Sequence, residues 1–375
     1  MNPKQKIILI SFLLLLNSCI TPFIPKTIDN KEMIVVDGLI TDQPGKNTIK
    51  LSNSFPLGTG NTPLPIKGCI VTVTDDLGNT FNFTETVAGT YVSDSAEFQG
   101  LIGRSYTLHI NTNSYSNNHT FESLPMEMKP VPPIDSVNYE KVTIAEADKW
   151  TLLQEGCQVY LNTHDPTNQC EYYRWTFIET WEFHLPYPVT NRICWISANS
   201  ELINIKDASV LNENKIYRYP LNFISNQTDK LSVKYSMLVK QYSLNKEEYL
   251  YWEQLQKLSE KVGSLYDIIP SSVTNNVHCV DDPNEKVLGY FSVSAISSKR
   301  IFIKDHFSGL VNLYTHDACG AMTVPADTSL PNLNIYVWII GGAATSGWLI
   351  TYDKGCADCT VRGTNIPPYF WTEDK

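Results

Sequence analysis

Residues 66–74 read IKGCIVTVT, a stretch in which apolar and polar residues alternate before the turn sequence DDLGN at 75–79. Apolar residues at every second position place one face of a β-strand against a core, and the Asp, Gly and Asn that follow end the strand. The same pattern precedes it in Ile34–Thr41 and follows it in 106–110. Short strands at this spacing predict a β-sandwich of about 90 residues, spanning 33–123.

A proline-rich segment separates this predicted sandwich from the rest of the chain. Its prolines, all within 124–136, are Pro125, Pro130, Pro132 and Pro133. Such a density favours an extended, polyproline-like connector, and we place the domain boundary there. Beyond the connector we expect a larger β-rich domain over 137–375, with long aromatic strands such as 172–183.

One amphipathic helix is predicted in the second domain, near 246–262. Asn245 with Glu248 three residues later is typical of a capping box, and Gly263 ends the helix. Apolar residues recur along one face at spacings of three and four, namely Tyr249, Trp252, Leu255, Leu258 and Val262. This face is typical of a helix packed on a sheet, so the predicted fold class is mainly β with one helix.

The first residues have the pattern of a bacterial lipoprotein signal. Lys4 and Lys6 precede an apolar run over 7–16, and the sequence LNSC ends at Cys19. A small residue just before a cysteine is typical of signals in which the thiol is lipidated and becomes the new N-terminus. Ten apolar residues span about 15 Å as a helix, half of a hydrocarbon core of about 30 Å, so a transmembrane anchor is not expected. An ordinary cleaved signal with an incidental cysteine is the alternative.

We therefore expect 1–18 to be a signal peptide and 19–32 to be a tether that joins the protein to a lipid bilayer through acylated Cys19. Two acyl chains, such as palmitate, anchor a protein stably, whereas one chain holds it only reversibly. The sequence does not decide between the cell surface and the periplasmic face of the membrane, because 20–24 carries no acidic residue of the kind that forms a surface-export tag.

The composition excludes one class of partner. The chain has a formal net charge of −10, with 42% hydrophobic and 18% charged residues. This content is enough for folded cores. We find no basic cluster of the kind that contacts phosphate backbones, so nucleic acid is not an expected partner.

Cysteines form the next pattern. Nine are present, and eight remain when Cys19 is set aside. An even number in an oxidising compartment favours disulfides, and we expect at least two bridges among seven candidates: Cys157, Cys170, Cys194, Cys279, Cys319, Cys356 and Cys359. The CADC sequence at 356–359 lacks the second closely spaced pair that a four-cysteine zinc site needs. We therefore predict no metal site and no cofactor.

Motifs for catalysis are absent from the sequence. It contains no serine elbow, HExxH helix, phosphate-binding glycine loop or calcium loop. The neighbours His164 and Asp165 suggest a catalytic dyad, as do His316 and Asp317, but adjacent residues of a strand point to opposite sides. We therefore predict that the protein is not an enzyme and assign no catalytic residues. An exported hydrolase is the alternative.

Two tripeptides fit a short acceptor pattern for O-glycosylation known in Bacteroidota. They are DSA at 94–96 and DSV at 135–137, which make Ser95 and Ser136 the candidate acceptors. Three residues match easily by chance, but Ser136 lies beside the proline-rich connector, where an exposed acceptor is expected.

The order of strands and glycines in 33–123 resembles the carboxypeptidase regulatory-like sandwich, which has a transthyretin-like fold. The counterparts of its motifs lie at 38–42, 68–73, 89–91 and 103–110. The resemblance implies an N-terminal transthyretin-like β-sandwich that acts as a structural or docking module and carries no catalysis.

Nearly the whole mature chain resembles the Bacteroidota lipoprotein family catalogued as domain of unknown function 4249. The motifs that carry this resemblance are SC at 18–19, VVDG at 35–38, VPPIDSV at 131–137, CW at 194–195, YSMLVKQY at 235–242, VLGYF at 287–291, KRIFI at 299–303, CADC at 356–359 and FW at 370–371.

This resemblance implies a lipid-anchored protein of the outer membrane, encoded beside a TonB-dependent receptor. The implied partner is that receptor, a β-barrel, and the implied role is an accessory subunit for nutrient import that captures a ligand or stabilises the transporter. No catalytic residues come with the family. A structural or adhesive protein of the cell envelope is the alternative.

Overall fold

The computed structural model describes residues 33–54, 63–112, 119–145, 153–186, 189–261, 273–307, 310, 322–324, 336–339, 348–351 and 353–372. The predicted signal peptide and tether lie outside the described residues, as do Cys19, His316 and Cys319. Strands dominate the described part of the chain, which is mainly β. No helix in these ranges combines the length and the apolar character needed to cross a bilayer.

The elements are numbered in chain order. The strands are β1 (Ile34–Thr41), β2 (Thr48–Asn53), β3 (Leu64–Pro65), β4 (Ile70–Asp75), β5 (Thr80–Val87), β6 (Thr90–Ser93), β7 (Ser105–Asn111), β8 (Thr120–Ser123), β9 (Met126–Glu127), β10 (Ile134–Ala145), β11 (Leu153–His164), β12 (Tyr172–His184), β13 (Ile193–Asn199), β14 (Asn204–Asp207), β15 (Lys215–Ser225), β16 (Lys234–Leu244), β17 (Val277–Cys279), β18 (Val287–Ser294), β19 (Ile296–Ile303), β20 (Met322–Val324), β21 (Tyr336–Ile339) and β22 (Trp348–Thr351). The α-helices are α1 (Lys246–Lys261) and α2 (Lys354–Ala357), and short 3₁₀ turns lie at Asp229–Leu231, Cys359–Val361 and Tyr369–Thr372.

The first sheet contains eleven strands in the order β17-β8-β7-β4-β5-β6-β2-β1-β18, with β3 paired to β2 and β9 paired to β7. Alternation of side chains builds its core as the sequence pattern predicts. In β4, Val71 and Val73 are buried while Ile70 is exposed. In β7, Tyr106, Leu108 and Ile110 are buried on the same face. The period of two places these side chains together because successive residues of a strand point to opposite faces.

The two ends of the first sheet come together. β18 runs parallel to β1, β17 runs antiparallel to β8, and β17 contacts β18. The side-chain amide of Asn276 joins the two ends: its Nδ2 donates to the carbonyl of Phe291 at 2.8 Å, and its Oδ1 accepts from the Phe291 N–H at 2.9 Å. An amide that pairs like a strand residue satisfies backbone groups that would otherwise be buried without partners. The sheet therefore wraps round one core in a sandwich-like arrangement.

The second unit contains two further sheets. One has the order β10-β11-β15, and the other has the order β13-β12-β16-β19 with β14 paired to β12. Trp175 is fully buried in the core that they share, and its Nε1 donates to Oε1 of Gln241 at 2.8 Å. The Nε2 of Gln241 in turn donates to the carbonyl of Pro132 at 2.8 Å, which fixes the proline-rich segment against this core. A small fourth sheet has the order β20-β22-β21.

The boundary predicted from the prolines differs from the observed organisation in one respect. β17 and β18 lie inside the predicted second domain, 137–375, yet they complete the first sheet. Hydrophobic burial is the reason, because Val287, Phe291 and Val293 belong to the core of the first sheet. The chain then passes from β18 into β19 of the second unit. The predicted connector is also shorter than expected, since β9 still pairs with β7 and β10 begins at Ile134.

Helix α1 occupies the predicted range and contacts β12, β14 and β18, so it touches both units. The predicted capping box does not form as expected. The Asn245 side chain donates to the carbonyl of Glu127 at 2.9 Å, and Glu248 is buried against aromatic side chains. Packing between the sheets therefore decides the position of Glu248.

One disulfide bridge joins Cys194 of β13 to Cys359, with Cα atoms 5.7 Å apart, and Cys356 is disulfide-bonded as well. Cys157, Cys170 and Cys279 were also candidates for the expected bridges, but they are free thiols. Each of them is buried among apolar side chains. Cys157 and Cys170 lie in the core of the second unit, and Cys279 lies in the core of the first sheet. Free cysteine commonly packs as a small apolar residue in such places.

Candidate functional site

A polar cavity of about 560 Å³ opens at the end of β11, and we call it the His164 cavity. Its lining residues are Asp135, His164, Asp165, Pro166, Asn168, Asn212, Glu213, Asn214 and Lys215. They come from the ends of β10, β11 and β15 and from the loops beside them. The volume lies in the range typical of small-molecule sites.

The shape of strand β10 brings Asp135 to His164. The register between β10 and β11 shifts between Ile134 and Ser136, which leaves Asp135 in a β-bulge. A bulge turns a side chain away from its regular direction. The Nδ1 atom of His164 consequently lies 2.8 Å from Oδ2 and 2.9 Å from Oδ1 of Asp135.

His164 and Asp165 both line the cavity, but His164 is exposed and its hydrogen-bond partner is Asp135. Asp165 is buried, and its carboxylate accepts from the N–H groups of Thr167, Gln169 and Cys170 at 2.8–2.9 Å. Burial alone raises the pKa of Asp165, but the hydrogen bonds outweigh burial and leave the pKa below its ordinary value. Hydrogen bonds to the ionised form act in this direction. Asp165 therefore holds the turn that forms one wall of the cavity.

Asn214 lines the cavity beside Asp165 and is buried too. Its Oδ1 accepts from the hydroxyl of Tyr173 at 3.0 Å, and its Nδ2 donates to the carbonyl of Cys170. Its own carbonyl accepts from the N–H of Asp165 at 2.8 Å. These bonds join the two loops beneath the exposed side chains that line the cavity.

The His164 cavity carries polar and charged groups that can bind a ligand. The rim carries the carboxylates of Asp135 and Glu213, the ammonium of Lys215 and the amides of Asn168 and Asn212. Such groups can donate and accept hydrogen bonds with a polar ligand. The lining contains no serine, threonine or cysteine that could act as a nucleophile.

The two candidate glycosylation sites lie in different surroundings. Ser95 is exposed in the turn after β6, where Asp94 accepts from the N–H of Ala96 at 2.8 Å. Ser136 is half-buried, and its Oγ accepts from the amides of Asn138 at 3.0 Å and Asn162 at 2.8 Å. Ser95 therefore has the more accessible hydroxyl.

A second polar cluster is buried where α1 meets both units, and we call it the Glu248 cluster. Glu248 is 1% exposed, and its Oε1 accepts from Nε1 of Trp252 at 3.3 Å. Burial raises the pKa of Glu248 to about 7, although Ser292, Arg174 and Trp252 partly offset this effect. Removing a carboxylate from water favours its neutral form.

The guanidinium of Arg174 lies 3.5 Å from the centre of the Trp252 ring and 5.6 Å from that of Tyr242. Burial lowers its pKa, while the neighbouring Glu248 raises it. Arginine stays protonated in such surroundings because its ordinary pKa is so high. The Glu248 cluster thus has a permanent cation from β12 beside a carboxyl group from α1.

Sequence reasoning named His164 and Asp165 but missed the other members of the cavity. Asp135 was singled out only as part of a glycosylation pattern, and nothing distinguished Asn168, Asn212 or Asn214 from ordinary loop residues. The cavity forms because β11 pairs with both β10 and β15, and this pairing over long separations leaves no local signal.

A comparison with protein-family models identifies the family of the chain. The model described as "Domain of unknown function (DUF4249)" matches residues 20–300, which is most of the chain. The chain belongs to this family. No curated protein matches it.

Four of the motifs that carry the resemblance to this family pair with one another in the fold. VVDG at 35–38 is in β1, and its Val36 is the parallel partner of Gly289 in the VLGYF motif of β18. Gly289 has φ +87°, and a Cβ on it would lie 2.0 Å from the carbonyl oxygen of Val36. Glycine is therefore required for this close approach. In the same way, YSMLVKQY of β16 pairs with KRIFI of β19. These motifs specify strand pairing.

Proposed function

We propose that this chain is a non-catalytic, lipid-anchored accessory protein of a TonB-dependent nutrient import system. The observation that carries the proposal is the LNSC sequence that ends at Cys19, after an apolar run too short to cross a bilayer. Acylated Cys19 holds the protein at the outer membrane of a Bacteroidota cell, and the import receptor is its partner.

The first sheet serves as a docking module in this proposal. Its strand and glycine pattern resembles that of a transthyretin-like, carboxypeptidase regulatory-like sandwich, and β17 and β18 are added to it. The pattern of buried and exposed residues in β1, β4 and β7 supports this assignment. Because β18 belongs to the first sheet and the next strand, β19, belongs to the second unit, the chain connects the docking module directly to the second unit.

The second unit supplies ligand capture. The His164 cavity has carboxylates, an ammonium and amides at its rim, which suit a ligand with several hydroxyl or amide groups, such as a sugar or a short peptide. His164 is engaged by Asp135 on the exposed side of the protein, and the lining has no serine, threonine or cysteine beside it. This arrangement favours binding over bond cleavage.

The experiment that tests the function is deletion of the gene, followed by complementation, with growth on a panel of glycans and peptides as sole nutrient. We expect slow growth on at least one nutrient and recovery with the wild-type gene. Cys19→Ser should not restore growth, because the protein is no longer anchored. Glu213→Gln at the cavity rim should restore it only in part, whereas Glu171→Gln, an exposed residue outside the cavity, should restore it fully.

Unchanged growth on every nutrient would contradict the proposal. If surface attachment or envelope integrity fell at the same time, the structural or adhesive function would replace it. Full growth with Glu213→Gln but none with Cys19→Ser would support the role of the lipid anchor. It would also exclude the cavity as the ligand site.

A further inference from the structure

Three possible metal ligands meet at one end of the first sheet, away from the His164 cavity. They are His119, Cys279 and Asp281, and their donor atoms all lie within 4.8 Å of one another. His119 precedes β8, while Cys279 ends β17 and Asp281 follows it. Imidazole, thiolate and carboxylate are all ligands that proteins use for zinc.

The strand register explains why these side chains converge. Phe121 of β8 lies opposite Cys279 of β17, and the N–H of Val280 donates to the carbonyl of Thr120 at 2.8 Å. His119 consequently lies opposite Asp281. Residues two apart share a face, so all three side chains are on the same side of this strand pair.

The distance between two of the donor atoms suits a tetrahedral ion. Sγ of Cys279 lies 3.7 Å from Nδ1 of His119. Zinc bonds of about 2.3 Å to sulfur and about 2.1 Å to nitrogen, separated by a tetrahedral angle, place these two atoms roughly 3.6 Å apart. The carboxylate of Asp281 is already oriented, because its Oδ2 accepts from the N–H of Thr120 at 2.6 Å. A hydrogen bond from outside the ligand set is typical of metal carboxylates.

Exposure changes across the group. Cys279 is 3% exposed, His119 is half-buried and Asp281 is exposed. The sulfur therefore lies at the edge of the apolar core, and the carboxylate lies towards solvent. An ion held by these three ligands has its fourth position on the solvent side, where water or another ligand can bind.

We infer that His119, Cys279 and Asp281 form a site for a divalent transition metal of the zinc class. Binding converts the Cys279 thiol to a thiolate and releases one proton to solvent, while His119 binds through neutral Nδ1. The ion joins β8 to β17, the strand that brings the chain back to the first sheet. It therefore stabilises the connection between the two units of the fold.

The test uses the mature chain purified in the presence of a chelator and then dialysed free of it. Co²⁺ is added as a probe, and absorption from thiolate-to-cobalt charge transfer is recorded before and after Zn²⁺ competes for the site. We expect one Co²⁺ per chain, displacement by Zn²⁺ and a higher melting temperature with either ion. Cys279→Ser should abolish the charge-transfer band, and Asp281→Asn should weaken Zn²⁺ binding at least tenfold.

Two matched controls separate this site from adventitious binding. Cys69→Ser removes another free thiol of the first sheet, and Asp282→Asn removes the neighbouring exposed carboxylate. Both should bind like the wild type. A wild-type chain with no charge-transfer band, or the same band in Cys279→Ser, would overturn the inference. The contact would then be an ordinary thiol–imidazole hydrogen bond. The titration of the wild type tests the site without any variant, so the result stands even if Cys279→Ser misfolds.

Discussion

Replacing Glu248 by glutamine should change how the stability of the protein depends on pH. The carboxyl group of Glu248 is buried, and its pKa rises from the ordinary 4.5 to about 7. In the unfolded chain the group returns to its ordinary pKa. Between these two values the folded state keeps a proton that the unfolded state loses, so the free energy of unfolding falls as the pH rises.

The magnitude follows from the two pKa values. A change of one pH unit corresponds to about 1.4 kcal/mol, so the rise to about 7 costs the folded state about 3 kcal/mol once the group is ionised in both states. This cost is absent below pH 4.5 and complete above pH 7. Glutamine has nearly the same shape and no charge, and therefore removes it.

Urea unfolding followed by tryptophan fluorescence at a series of pH values measures the effect. The free energy of unfolding of Glu248→Gln, minus that of the wild type, should grow by about 3 kcal/mol between pH 4.5 and pH 8. Glu247→Gln is the matched control, because Glu247 is the neighbouring exposed residue, and it should follow the wild type. Parallel curves for the wild type and Glu248→Gln would refute the reasoning, since they would mean that Glu248 ionises in the folded state as it does in water.

Three further predictions concern the fold. Gly289→Ala should lower the free energy of unfolding by about 1–3 kcal/mol, because its φ of +87° and the close carbonyl of β1 exclude a side chain. An unchanged urea midpoint would contradict the β1–β18 pairing. Cys359→Ser opens the bridge to Cys194 across 165 residues and should cost about 5 kcal/mol in the chain-entropy model, as measured by the same unfolding curve; a midpoint that does not move would show that the bridge contributes little. Burial raises the pKa of Cys157 to about 12, so in the native protein a thiol reagent at pH 8 should modify half-buried Cys69 well before Cys157. Mass spectrometry of the peptides measures the two rates, and equal rates would be inconsistent with a closed core.

Local patterns in the sequence predicted several of the strands and the helix. The alternation in 66–74 and 106–110 corresponds to β4 and β7, and the apolar period of three and four corresponds to α1. These features depend on residues close together in the chain, for which the positions of side chains are fixed by the period of the element.

Pairing over long separations was not visible. The prolines near 130 suggested that everything beyond them forms one unit, yet β17 and β18 return to the first sheet. Their apolar side chains fit either core by composition alone, and only the three-dimensional arrangement decides between them. Glu248 illustrates the same limit, because its spacing from Asn245 favoured a capping box, whereas packing between two sheets buries it.

The candidate sites were the least visible in the sequence. His164 and Asp165 attracted notice as neighbours, but the partner of His164 is Asp135, which a β-bulge in another strand brings to it. His119 and Cys279 are separated by 160 residues and meet through a single pair of short strands. No local spacing signals a site of either kind.

Affinity purification tests whether the protein is an anchored partner of an import receptor. The tagged, full-length protein would be purified from detergent-solubilised outer membrane, beside a Cys19→Ser variant expressed at the same level. We expect the wild type to be recovered in the membrane fraction with a TonB-dependent receptor bound to it, and the variant to be recovered outside that fraction without the receptor. Recovery of the wild-type protein from the membrane on its own would contradict the proposed function.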